Sequence, residues 1–84
     1  MADRFRLVKK YIDQMDYDGL LAGGAPSDEF DLESKQISAS IRHEHSVPEI
    51  AEIIASVFNQ YFGAHNDATV FMAVAEQIKH EFPA

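Results

Sequence analysis

Ser46-Val47-Pro48-Glu49-Ile50-Ala51-Glu52-Ile53-Ile54-Ala55-Ser56-Val57-Phe58-Asn59-Gln60-Tyr61-Phe62-Gly63 reads as one helix from its first residue to its last. Ser46 and Glu49 have the S-x-x-E spacing of a capping box, in which each side chain satisfies a backbone N–H at the helix start. Pro48 falls in the first turn, where its missing N–H costs nothing. Ile50, Ile53, Ile54, Val57, Phe58, Tyr61 and Phe62 then recur at spacings of three and four. Ala51 and Ala55 widen the apolar arc to roughly 200° at about 100° per residue. So broad an arc must touch more than one neighbour, which predicts a central helix in an all-α fold. Gly63 is suited to end it in the left-handed conformation of a C′ residue.

The flanking stretches supply the neighbours. Downstream, Asn66 or Asp67 is suited to cap a fourth helix whose apolar face carries Val70, Phe71, Val74, Ala75, Ile78 and Phe82, with Pro83 closing it. Upstream, Asp31 is expected to cap a second helix, with Glu33 in a first turn that favours acid and Arg42 and His43 in a last turn that favours cations. Its apolar face is thin: Ile37 and Ile41 lie one turn apart, and Ser34 and Ser38 continue the same side, where small residues permit close approach of another helix. A first helix over Ala2 to about Met15 places Phe5, Val8, Ile12 and Met15 on one stripe with Tyr11 beside them. Lys9 and Asp13 can pair across one turn. From Tyr17 to Phe30 the periodicity stops, and Gly19, Gly23, Gly24 and Pro26 make this the chain's densest run of breakers. Residues 1–84 are therefore expected to form a single domain. Its architecture is a compact all-α, four-helix fold, with a long ordered acidic loop between the first and second helices and folded back over the third.

Composition excludes several function classes. The chain has no cysteine, which removes disulfides, thiolate zinc sites and thiol catalysis together. The longest apolar run, Val70 to Ala75, is six residues, against about 20 for a membrane span. The first residues alternate charged and apolar without the continuous apolar stretch of a secretory signal, so a cytoplasmic location is expected. Fourteen Asp and Glu oppose seven Lys and Arg, for a net charge of −7. A phosphate backbone would be repelled, as would an anionic membrane, despite the basic residues Arg4, Arg6, Lys9 and Lys10 of the first helix.

That charge is local. Asp13, Asp16, Asp18, Asp28, Glu29, Asp31 and Glu33 all fall between Tyr11 and Ser34 with no basic residue among them, so this segment alone carries −7 and the remaining residues sum to zero. The acids can cap helix ends and keep the loop soluble, hold a cation, or form a negative docking surface. The calcium template fails: counting from Asp16, position 3 is Asp18 but positions 5 and 6 are Leu20 and Leu21 instead of an oxygen ligand and glycine. Leu20, Leu21, Ala25 and Phe30 interrupt the acid, either tucking the loop onto the helices or presenting an apolar anchor rimmed by carboxylates, as at an interface hot spot. The candidate protein-binding residues are Asp16, Asp18, Leu20, Leu21, Asp28, Glu29, Phe30 and Asp31.

Other chemistry is poorly supplied. His43 and His45 are one residue apart at a helix end, and His65 and His80 lie in no H-x-x-x-H pair, so no zinc site is expected. Ser40 and His43 could meet across a turn but lack an evident oxyanion hole, and no nucleophile elbow, Walker loop or dinucleotide glycine motif is present. No catalytic residue, metal ligand or cofactor is assigned.

Met15-Asp16-Tyr17-Asp18-Gly19-Leu20-Leu21, followed by Gly23-Gly24-Ala25-Pro26-Ser27-Asp28-Glu29-Phe30-Asp31, resembles the signature of the YugE-like family. These are small uncharacterised all-helical proteins found mainly in Gram-positive bacteria. There a Trp-Asp-Pro-aliphatic-Gly-Leu-Leu stretch leads into Gly-Ala-Pro-Glu-Asp-Glu-Tyr-Asp and a helix, and the run from Ser46 to Phe62 is similar to the family's Ser-Val-Glu-Glu-Leu-Ala helix with its aromatic end. Met15 stands where that pattern has Trp, Tyr17 where it has Pro and Asp18 where it has an aliphatic residue, so a pocket built on the Trp is altered here. The resemblance implies a compact all-helical, free-standing cytoplasmic protein and no reaction. It gives Asp16, Asp28, Glu29 and Asp31 more weight as structural or binding residues than generic solubilising acid would have. The expected function is a non-enzymatic protein-interaction module that uses the acidic loop to engage a protein with a basic surface. The alternatives are an immunity- or antitoxin-like inhibitor of a basic toxin or nuclease, in which acid steers association, and a metal-dependent domain or enzyme built on the loop carboxylates.

Overall fold

The computed structural model describes residues 4–26 and 28–82; the side chain of Asp18 and the positions expected for Ala2 and Pro83 lie outside that description. The chain forms α1 (Arg4–Met15), a 3-10 turn (Tyr17–Gly19), α2 (Asp31–Ser40), α3 (Val47–Phe62), a second 3-10 turn (Ala68–Phe71) and α4 (Met72–Glu81). No strand occurs among the described residues. The fold is all-α with four helices, as the periodicity predicts.

α3 is the centre because its arc is the widest. Ile50, Ala51, Ile54, Ala55, Val57 and Phe58 are buried along it, and α2 and α4 both pack on it while also touching α1. Its start has the reciprocal bonds of the capping box: the Glu49 N–H donates to Ser46 Oγ at 3.3 Å and the Ser46 N–H to Glu49 Oε1 at 2.7 Å. Gly63 ends it at φ 61°, where a Cβ would cost about 1 to 2 kcal/mol. Tyr61 departs from the expected face at 46% exposed, because the arc outruns the neighbours available at that end of the helix.

Three boundaries differ from the sequence reading. Phe30, not Asp31, occupies the N-cap position of α2, and Asp31 is its first helical residue. α2 stops at Ser40, so Arg42 and His43 lie beyond its last turn; there the Arg42 N–H donates to His45 Nδ1 at 3.0 Å, a local turn that competes with another helical turn. Asp67 accepts from the Thr69 N–H, but the turn it caps is 3-10, and α4 proper begins at Met72. That tighter winding rotates Val70 out of the predicted apolar face to 59% exposure. The thin face of α2 behaves as read: Ser34, Ile37, Ser38 and Ile41 are buried.

Candidate functional site

The first loop is built outward from Asp16. This residue is left-handed, at φ 51°, and its carboxylate accepts from the Leu21 N–H at 2.7 Å and the Ala22 N–H at 3.0 Å. Aspartate tolerates this backbone conformation better than most side chains because a short acceptor can bond locally. The loop therefore folds around its own carboxylate. Asp16→Ala is expected to lower stability by about 2 kcal/mol, and Asp16→Asn by about half that, since Asn keeps the backbone preference and one acceptor; thermal unfolding of the two variants checks the ratio.

Next to Asp16, Tyr17 lays its ring on the core. Its centroid is 4.6 Å from Phe58, 5.0 Å from Phe62 and 6.1 Å from Phe71. Its hydroxyl accepts from Asn66 Nδ2 at 2.7 Å. Asn66 is itself held by Asn59, whose Oδ1 accepts from the Asn66 backbone N–H at 2.8 Å and whose Nδ2 donates to the Asn66 carbonyl at 3.1 Å. Leu20 and Leu21 are partly buried against the same core, and Phe30 is fully buried, its ring 5.8 Å from Phe58. Phe30 is thus corrected from candidate contact residue to core residue. Leu20 and Leu21 are anchors of the loop.

At the start of α2 the acids divide by role. Lys9 Nζ joins Asp31 at 2.8 Å and Asp13 at 2.9 Å, tying α1 to α2, and the two carboxylates, Asp31 foremost, hold the ammonium above its ordinary pKa. Asp28 is exposed and Glu29 half-buried. Between them and the body of the helix, Leu32 is 64% exposed, the most exposed large apolar side chain among the described residues. At about 100° per residue it points about 160° from both Phe30 and Ser34. Applied to α2, the same wheel that identifies the core face would have found it.

Glu33 is the anomaly of the region. Position 33 lies three residues after Phe30 and four before Ile37, squarely in the buried stripe, and Glu33 is 6% exposed. Its Oε1 has no hydrogen-bond partner among the described residues, and neither does the buried Ser34 Oγ. Desolvation, assisted by repulsion from Glu29 and Asp31 and opposed by a bond to its own backbone N–H, pushes the Glu33 carboxyl above its ordinary pKa.

On its α3 side, α2 borders an open groove of about 460 Å³, floored by Ile53 and Val57 and walled by Gln36, Ser40, Glu49 and Glu52. Elsewhere the chemistry is structural. The Ser40 hydroxyl donates to the Gln36 carbonyl at 2.9 Å instead of approaching His43, and Lys79 Nζ donates to the His43 carbonyl at 2.6 Å. The Tyr11 hydroxyl bonds to the Glu81 carboxylate, linking α1 to α4 and raising the phenol pKa. Among the described residues no group of three or more His, Asp or Glu is placed to hold a metal ion, and no helix is long and apolar enough to cross a membrane.

These elements define a four-helix domain whose acidic loop is spent partly on its own folding and partly on an exposed patch at the α2 start. No family model, curated protein or solved structure matches the chain.

Proposed function

We propose that this chain is a protein-interaction module whose docking surface is the first turn of α2, where Leu32 stands exposed beside Asp28 and Glu29, and whose partner carries a basic surface. The observation that carries this reading is the exposure of Leu32 while Phe30, Leu20 and Leu21 are drawn inward. An apolar anchor rimmed by charge combines desolvation energy with electrostatic steering, and the rim selects a cationic partner. Among the described residues no side-chain bond engages Asp28 or Glu29, whereas Asp16 and Asp31 are engaged in the loop and with Lys9. An inhibitor that masks a basic toxin or nuclease would be a special case of the same chemistry. A cytoplasmic setting and kinship with the YugE-like proteins belong to the same reading.

The test compares affinity capture from source-cell lysate by the native protein and by Asp28→Asn/Glu29→Gln/Leu32→Ser. These substitutions avoid the core, so melting temperatures are expected to agree within about 4 °C. Loss of specific partners by the folded variant is the expected result, and an unchanged partner list refutes the patch.

A further inference from the structure

The exposed patch does not end at Leu32. On α2, Gln36 follows Leu32 by one turn, about 40° around the helix, and Ser40 by two turns, about 80° around it. Both line the groove against α3, which α2 meets in the opposite sense: Phe30 at the start of α2 contacts Phe58 and Phe62 near the end of α3. Leu32, beside Asp28 and Glu29, therefore lies next to the Gln36 wall of a groove that is floored by Ile53 and Val57 and carries Glu52 and Glu49 toward the start of α3. Lys35 lies about 60° to the other side of Leu32, toward α1, and is not part of it.

Patch and groove together have carboxylates at both ends and an apolar floor between them. The groove lining includes no Lys or Arg. Bonding to the Ser46 backbone N–H and hydroxyl holds the Glu49 carboxyl below its ordinary pKa, so that end stays charged. His45, which also lines the groove, and Lys79 both bear on Glu49; His45 Nδ1 accepts from the Arg42 N–H, and the Lys79 ammonium is committed to the His43 carbonyl. We infer that the α2–α3 groove seats an amphipathic helix of a partner protein, its apolar stripe on Ile53, Val57 and Leu32 and its Lys or Arg side chains against Asp28 and Glu29 at one end and Glu49 and Glu52 at the other. A helix is the occupant because a two-helix groove with a narrow apolar floor matches residues at i, i+3, i+4 and i+7, and charge complementarity makes it basic. A second copy of this chain fits less well. Its basic residues cluster on α1, whose apolar stripe of Val8, Tyr11 and Ile12 is already in the core, so it offers charge without an anchor.

This inference rests on the proposed docking role of the α2 start, and one experiment tests both. The probe is a synthetic 16-residue peptide with Leu at i, i+3, i+4 and i+7 spacing and Lys elsewhere, titrated into the ¹⁵N-labelled protein. Its controls are a scrambled peptide of the same composition and the same pattern with Glu in place of Lys. Amide shifts are expected along 28–36 and 52–60, with at least about tenfold tighter binding than the scrambled peptide and none by the Glu peptide. Ser56→Arg, an exposed groove position, and Asp28→Asn/Glu29→Gln should each weaken binding by about tenfold. Shifts confined to 28–32 with no effect of Ser56→Arg overturn the groove and leave the α2 patch standing. Loss with Ser56→Arg but none with the Asp28/Glu29 variant overturns the patch and keeps the groove. Equal binding of scrambled and patterned peptides, or binding of neither, overturns both, and concentration-dependent dimerisation that protects the same amides assigns the groove to a second copy.

Discussion

Tyr17→Ala is expected to destabilise the protein by about 3 to 4 kcal/mol, lowering the melting temperature by roughly 15 to 25 °C. Truncating a packed aromatic ring generally costs about 3 to 5 kcal/mol, and Tyr17 is only partly buried, which places it toward the lower end. The ring touches Phe58, Phe62 and Phe71, so its removal leaves a space bordered by three rings that cannot close together without moving α3 against the 3-10 turn before α4. The hydroxyl matters less. Tyr17→Phe deletes one acceptor for Asn66, which keeps its bonds to Asn59, and should cost about 1 kcal/mol. Denaturant unfolding of the two variants separates ring from hydroxyl. A Tyr17→Ala cost below about 1 kcal/mol would mean that the first loop is not held on α3 in solution.

Glu33→Met should have the opposite sign, stabilising the fold by about 1 to 3 kcal/mol at pH 7. The native carboxylate is buried with an oxygen that has no partner among the described residues, and an unbranched apolar side chain of similar length removes that burden while filling the same space. Two effects oppose the gain, the bond from Glu33's own N–H and the favourable place of an acid in the first turn of α2, the latter worth about 0.3 to 1 kcal/mol. Glu33→Gln isolates the charge. Because the folded carboxyl titrates above its ordinary value of 4.5, folding favours its protonated form. No penalty exists at pH values where folded and unfolded chains are both protonated, and it accumulates as pH rises through the folded value. The stability of Glu33→Gln relative to the native protein should therefore grow from pH 4 to pH 8. A difference that stays flat or shrinks over that range would show that Glu33 has found a charge partner.

The helices were legible wherever one face had to be apolar. The capping box, the i, i+3, i+4 run of α3 and the Gly63 stop are short-range devices whose energetics hardly depend on the rest of the molecule, and they appear as read except at Tyr61. Val70 and Tyr61 were not legible, because an apolar residue at the margin of a stripe is buried only if a neighbour reaches it. The candidate site was half legible. The concentration of acid between Tyr11 and Ser34 is plain in the residues, but the work done by each acid is not. Asp16 bonds five and six residues ahead, Asp31 meets Lys9 across 22 residues, and Glu33 is carried inward by the stripe it interrupts. Leu32 and the groove beyond it were not legible in the acids of the first helical turn, because exposure there depends on the direction of each side chain and on where α3 lies.

By itself the sequence determined the helix boundaries that are capped locally, the all-α class, and the confinement of the net charge to one segment, since these depend on neighbours within a turn or two. Only the tertiary structure decided which acids are drawn into the fold's own bonds and which stay exposed. That choice is made by where α1 and α3 lie against α2: α1 brings Lys9 to Asp31, α3 draws Phe30 into its aromatic cluster, and the faces left over expose Leu32 and open the groove.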